Sequence, residues 1–206
     1  MEKDTQHLEQ LAEIRDIMNK STRFLSLSGL SGVVAGIAAL GGAWAAHEYL
    51  SSRVFVNYLY NGTQAEVIQF LALDAFLVLI VAIGFGSLFT IRKAKKNGQR
   101  MFNKMGIRML VNLGIPLATG GAFGLIVMYH GGYFLLPSIM LVFYGLALIN
   151  ASKYTLEDIR YLGYCEIVLG LLSAWFIGYG LLFWAIGFGV LHIVYGTIMH
   201  FKYDRA

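Results

Sequence analysis

Residues Val67 to Ile91 read VIQFLALDAFLVLIVAIGFGSLFTI, a run interrupted by a single charge, Asp74. Crossing a hydrocarbon core about 30 Å thick takes roughly 18 to 25 apolar residues, and this run supplies them. It is continuously apolar rather than alternating over about ten residues, so it reads as a helix and not as a barrel strand. A helix satisfies its backbone polar groups internally, as lipid requires.

Five further runs on either side share this character. They are Phe24 to Ala46, Met109 to Tyr129, Tyr133 to Ala151, Tyr161 to Gly178 and Leu181 to His200, with a His130-Gly131-Gly132 turn between the second and third of these. The whole chain is 57% hydrophobic and 14% charged, with a mean hydropathy of +0.63. Soluble domains carry about 25% charged residues, so a soluble fold is excluded. The expected class is an all-α polytopic membrane protein with six transmembrane helices. Residues 1–22 form an amphipathic cytoplasmic helix, 23–201 the transmembrane domain and 202–206 a cytoplasmic tail. In the first of these, Leu8, Leu11, Ala12, Ile14, Arg15 and Met18 recur at helical spacing among charged neighbours.

Basic residues set the orientation. With the N-terminus inside, fifteen Lys and Arg fall in cytoplasmic segments, and only Arg53 falls outside. The positive-inside rule then places both termini in the cytoplasm, and the expected location is the cell (inner) membrane. The same bias accounts for a pI near 9.1 without a nucleic-acid partner. The polar, acidic first twenty residues do not resemble a cleavable signal peptide. The single cysteine, Cys165, excludes an intrachain disulfide and any paired-cysteine metal motif.

Three odd-numbered spans open with Arg, a large apolar residue and Leu: Arg23-Phe24-Leu25, Arg108-Met109-Leu110 and Arg160-Tyr161-Leu162. Three even-numbered spans carry an aromatic-Gly pair: Phe85-Gly86, Tyr144-Gly145 and Tyr195-Gly196. Arg to Gly is 37 residues in the second unit and 36 in the third, but 63 in the first, where an outer loop near Tyr49 to Ala65 adds length. This order predicts three repeated helical hairpins in parallel orientation. The 24 glycines predict close helix packing, with GxxxG steps at Gly32/Gly36 and Gly120/Gly124 and a small pair at Ala35/Ala39. Such faces also suit a homo-oligomer within the lipid bilayer.

Repeated short hairpins rich in Gly, Leu and Ile with a tight outer turn resemble the HdeD-like acid-resistance membrane proteins. The segment Ile167 to Gly196, IVLGLLSAWFIGYGLLFWAIGFGVLHIVYG, carries the resemblance. It implies a non-enzymatic role in envelope or stress physiology and brings no catalytic residues with it. The long outer loop and the acidic N-terminal helix depart from that pattern.

Ionisable side chains at membrane depth cost several kcal/mol and mark candidate functional sites. Asp74 lies about 12 Å into the second span from the outer side, at about 1.5 Å per residue. An inner group comprises Glu166, His192, Asn112 and Asn150, rimmed by Arg108 and Arg160. Glu166 stands where the other two units carry Gly29 and Gly114, so it should face the bundle interior with His192 or Asn112 as partner. His47, Glu48 and Glu66 flank helix ends and read as interfacial residues. Trp44, Tyr129, Tyr179 and Trp184 read as interfacial anchors, and Asn61-Gly62-Thr63 as a turn. The inner group and Asp74 are able to bind a cation or pass protons, and the bland alternative is a set of satisfied interhelical hydrogen bonds. No hydrolase, P-loop or metal motif is present, and no cofactor is expected. The expected function is a non-enzymatic membrane protein. The alternative is a small transporter or channel that uses Asp74 and Glu166 for ion or proton coupling.

Overall fold

The computed structural model describes residues 10, 27–52, 64–96 and 104–204. The amphipathic N-terminal stripe, Arg23-Phe24-Leu25, Arg53, Asn61-Gly62-Thr63 and the last two residues lie outside the described residues. Among the described residues every regular element is helical. In chain order these are α1 (Gly29–Ser51), α2 (Gln64–Lys96), α3 (Lys104–Tyr129), α4 (Leu136–Ala151), α5 (Ile159–Trp175) and a last helix, α6 (Gly180–Asp204).

Five helices are long and apolar enough to cross a membrane: α1, α2, α3, α6 and the segment Tyr133–Tyr154, which extends α4 by a 3-10 turn at each end. The protein is therefore a membrane protein. The remaining helix, α5, has 17 residues, about 25 Å at 1.5 Å per residue. It stops at Trp175 because the chain turns through Gly178, whose φ of 102° suits glycine. The turn between α3 and α4 is a Schellman motif: the Gly132 N–H donates to Val127 O and the Gly131 N–H to Met128 O, both at 2.9 Å, with Gly131 at φ 81°.

The side chains are distributed inside out relative to a soluble bundle. Ile37, Leu77, Ile115, Leu125 and Leu171 are exposed, while Gly, Ala and Ser make up much of the buried helix faces. Where lipid is as apolar as Leu, close backbone approach rather than burial of large side chains drives association. On α1, Gly29, Gly32 and Gly36 face Gly196, His192 and Gly189 of α6. On α4, Gly145 meets Gly163 of α5, and Gly170 of α5 meets Val142. The two steps expected to pack helices differ in kind. Gly32/Gly36 meets glycine, whereas Gly120 receives the ring of Phe143 and Gly124 lies beneath Leu136 and Ile139. Tyr129, Trp175 and Tyr179 are exposed at the ends of α3 and α5 and in the turn that follows, and Trp44 is exposed about two turns before the end of α1. Trp184 instead packs inward on Phe188, with ring centroids 5.2 Å apart.

The opposite end holds the larger apolar core, in which Leu148, Leu156, Ile159, Leu162 and Met199 are buried. Two ionic clasps close it. Asp204 receives Lys93 of α2, the Gly29 N–H at 3.1 Å and His200 Nδ1 at 3.0 Å, and Lys93 also donates to Leu27 O at 2.8 Å. A carboxylate thus sits on the N-terminus of α1, where the helix dipole favours it. Asp158 accepts from Lys202 at 2.7 Å and from the Tyr203 hydroxyl at 2.8 Å. Residues 202–204, expected as a free tail, continue α6 and carry these contacts.

Candidate functional site

The buried face of α5 is Ile159, Leu162, Gly163, Glu166, Gly170 and Ser173, a stripe at steps of three and four. Glu166 lies in the middle of this small-residue stripe and is fully buried, at 0% exposure. Opposite it, α6 departs from α-helical geometry. Ala185–Leu191 forms a π-helical stretch, a wide turn that often occurs at functional sites. Gly187 of that stretch leaves the space the carboxyl fills, since a Cβ there would stand 2.5 Å from Glu166 Oε2 and from Leu141 Cδ2.

The π-helical stretch also turns His192 toward Glu166. His192 Nδ1 is 3.5 Å from Glu166 Oε1 and 2.9 Å from Gly187 O, and Nε2 is 2.7 Å from the Tyr144 hydroxyl of α4. The network assigns the proton: Nδ1–H donates to the Gly187 carbonyl, and Nε2 accepts from Tyr144. The neutral imidazole is then satisfied on both nitrogens. Glu166 is not, because neither of its oxygens has a hydrogen-bonding partner among the described residues. The rings of Tyr144, Phe188 and Trp184 close the site, with Phe188 5.0 Å from Tyr144 and 5.9 Å from His192. Burying a carboxylate without partners is strongly unfavourable, and gaining a proton or moving close to imidazolium relieves the cost.

The expected inner group divides in two. Glu166 and His192 come together, with His192 rather than Asn112 as the neighbour. Asn112 and Asn150 pair with each other instead: Asn150 Nδ2 donates to Asn112 O at 3.0 Å and Oδ1 at 3.1 Å. Asn112 Nδ2 returns to Arg108 O at 2.8 Å, so Arg108 contributes only its carbonyl while its side chain is exposed. Asp74 sits apart on α2 against Gly42 of α1, so the two carboxylates belong to different helix pairs. His47, Glu48 and Glu66 are exposed at helix ends. Among the described residues no three His, Cys, Asp or Glu converge as a metal site would need.

Sequence reasoning missed Tyr144 and Gly187 as parts of this site. Tyr144 had a signal, since it forms one of the aromatic-Gly pairs. Compared with known proteins, the chain matches no family model, no curated protein and no solved structure.

Proposed function

We propose that the chain is a six-span, non-enzymatic protein of the inner membrane, with both termini cytoplasmic. Its working element is the Glu166–His192–Tyr144 array, which takes up and releases a proton as envelope conditions change. The observation that carries this reading is the fully buried Glu166 carboxyl, unbonded at both oxygens among the described residues and 3.5 Å from His192 Nδ1. A structural carboxyl in a membrane bundle would be expected to hold a hydrogen bond across helices. A bound metal would need more oxygen or nitrogen ligands than these two residues offer. A proton needs only the carboxyl and a neighbouring base.

The closed surroundings support a non-enzymatic role, because Leu141 and Glu166 are both fully buried. The basic residues gathered at one end support the topology, and the aromatic residues at the other end agree with it. In that topology α5, although short, is the fifth crossing. The repeat has support from packing in two of its three units, since Gly145 and Gly196 each meet glycine of an odd-numbered helix, whereas among the described residues nothing lies within 4 Å of a Cβ at Gly86. The HdeD-like resemblance fits a proton-responsive role in envelope stress. A pathway through both Asp74 and Glu166 has less support, because the two lie on separate helix pairs.

Hydrogen–deuterium exchange of the protein in lipid nanodiscs, across pH, tests this reading. After correction for the intrinsic pH dependence of amide exchange, protection in Ala185–Leu191 should change with pH in the wild type and lose that response in Glu166→Gln. An unchanged pH response in the variant would overturn it.

A further inference from the structure

At the end of the bundle where α4 closes and α5 begins, Ile149, Ser152, Lys153, Glu157, Arg160 and Tyr164 line a cavity of about 480 Å³. It lies away from the Glu166 array, because Arg160 and Tyr164 occupy an exposed face of α5 while Glu166 occupies the buried one. The lining carries two cations and one carboxylate, a net charge of +1 that complements a singly charged anion.

The Asn112–Asn150 pair, which the Glu166 array leaves out, serves this cavity. Asn150 is held by its two bonds to Asn112, and its Oδ1 accepts from Lys153 Nζ at 3.1 Å. An amide pair spanning α3 and α4 thus holds the Lys153 ammonium at the cavity, with two N–H donors left over. Arg160 brings the planar guanidinium fork suited to phosphate, and the Tyr164 phenol supplies a further donor. Ser152 is committed elsewhere, its hydroxyl donating to Ile149 O at 2.7 Å. Ile149, half-buried against Gly163 of α5, gives the cavity an apolar wall. A basic pocket between membrane helices at the headgroup level is the setting in which anionic lipids are recognised.

We propose that this cavity binds the phosphodiester of an anionic phospholipid, gripped by Lys153 and Arg160 with Tyr164 as hydroxyl donor. The proposal is independent of proton handling at Glu166.

The test is native mass spectrometry of the full chain released from nanodiscs of equimolar phosphatidylglycerol and phosphatidylcholine. The wild type should retain phosphatidylglycerol over phosphatidylcholine. Each cation near a membrane surface contributes about 1 kcal/mol, so Lys153→Gln/Arg160→Gln should lower that preference about 25-fold. Lys153→Arg, which keeps the charge, should retain most of it and controls for folding. Equal retention of the two lipids by the wild type, or an unchanged preference in the double variant, would overturn the proposal. Saturable binding of soluble glycerol phosphate with no preference between the lipids would overturn the lipid source.

Discussion

Glu166 Oε1 stands 3.5 Å from His192 Nδ1, while that nitrogen is only 2.9 Å from the Gly187 carbonyl. The histidine is therefore bonded to its own helix and to Tyr144, and the carboxyl is its neighbour rather than its partner. The two residues should consequently contribute differently to stability.

Replacing Glu166 by Gln removes no hydrogen bond present in the structure. Interhelical bonds in membranes average about 0.6 kcal/mol, so the variant should unfold within about that amount of the wild type in bicelles. Replacing His192 by Leu strands the buried Tyr144 hydroxyl and should cost about 1–3 kcal/mol. Adding Tyr144→Phe to that variant should recover part of the loss, since removing both partners of a buried bond is cheaper than removing one. Equal losses in the Gln and Leu variants would contradict this assignment.

Gly187 and Glu166 compete for one space. A methyl at position 187 would meet Glu166 Oε2 and Leu141 Cδ2 at 2.5 Å, and overpacking of this kind costs about 1–3 kcal/mol. Gly187→Ala should therefore destabilise in the wild-type background and less when Glu166 is Ala, where the contact with Leu141 Cδ2 is the one that remains. A double-mutant cycle measures the coupling, and strict additivity would show that the carboxyl does not occupy that space.

Glycines should separate by what lies above them. At Gly145 a Cβ would stand 2.5 Å from the Gly163 carbonyl oxygen, whereas at Gly84 nothing lies within 4 Å. Gly145→Ala should lower the melting temperature. Gly84→Ala should leave it unchanged or raise it, because Ala is favoured over Gly within a helix by about 1 kcal/mol.

The clasp at the end of α6 sets a pH dependence. The hydrogen bond from Lys202 holds the Asp158 carboxyl below its usual 3.8 in the folded protein. A carboxyl depressed on folding contributes stability that is present above its unfolded value and is lost as pH falls through the folded one. Unfolding followed from neutral pH downward should show this loss in the acid range, and Asp158→Asn should remove that part of the slope.

The helices were legible because lipid leaves one solution for a long run without charge. Glu166 was legible as a neighbour of His192 or Asn112 because all three sit at one depth, and depth follows from counting residues along a span. Azimuth does not. On α3, apolar side chains surround Asn112 on every face, so depth alone allowed it to be matched to Glu166 when it turns to Asn150 instead. For Glu166 the inward azimuth came from its alignment with Gly29 and Gly114, of which Gly29 lies at a close helix contact while among the described residues nothing lies within 4 Å of a Cβ at Gly114. The π-helical stretch that brings Gly187 beneath the carboxyl has no sequence pattern of its own. Asp204 escaped notice because it lies beyond the apolar run, where a short charged end reads as a free tail.

The central claim is that Glu166 exchanges a proton inside the bundle. Infrared difference spectroscopy of the protein in nanodiscs, stepped across the pH range in which it stays folded, observes this directly. A protonated-carboxyl C=O band should titrate, disappear in Glu166→Gln and shift in His192→Gln. A wild-type spectrum with no titrating carboxyl band, or one unaltered by Glu166→Gln, would contradict it.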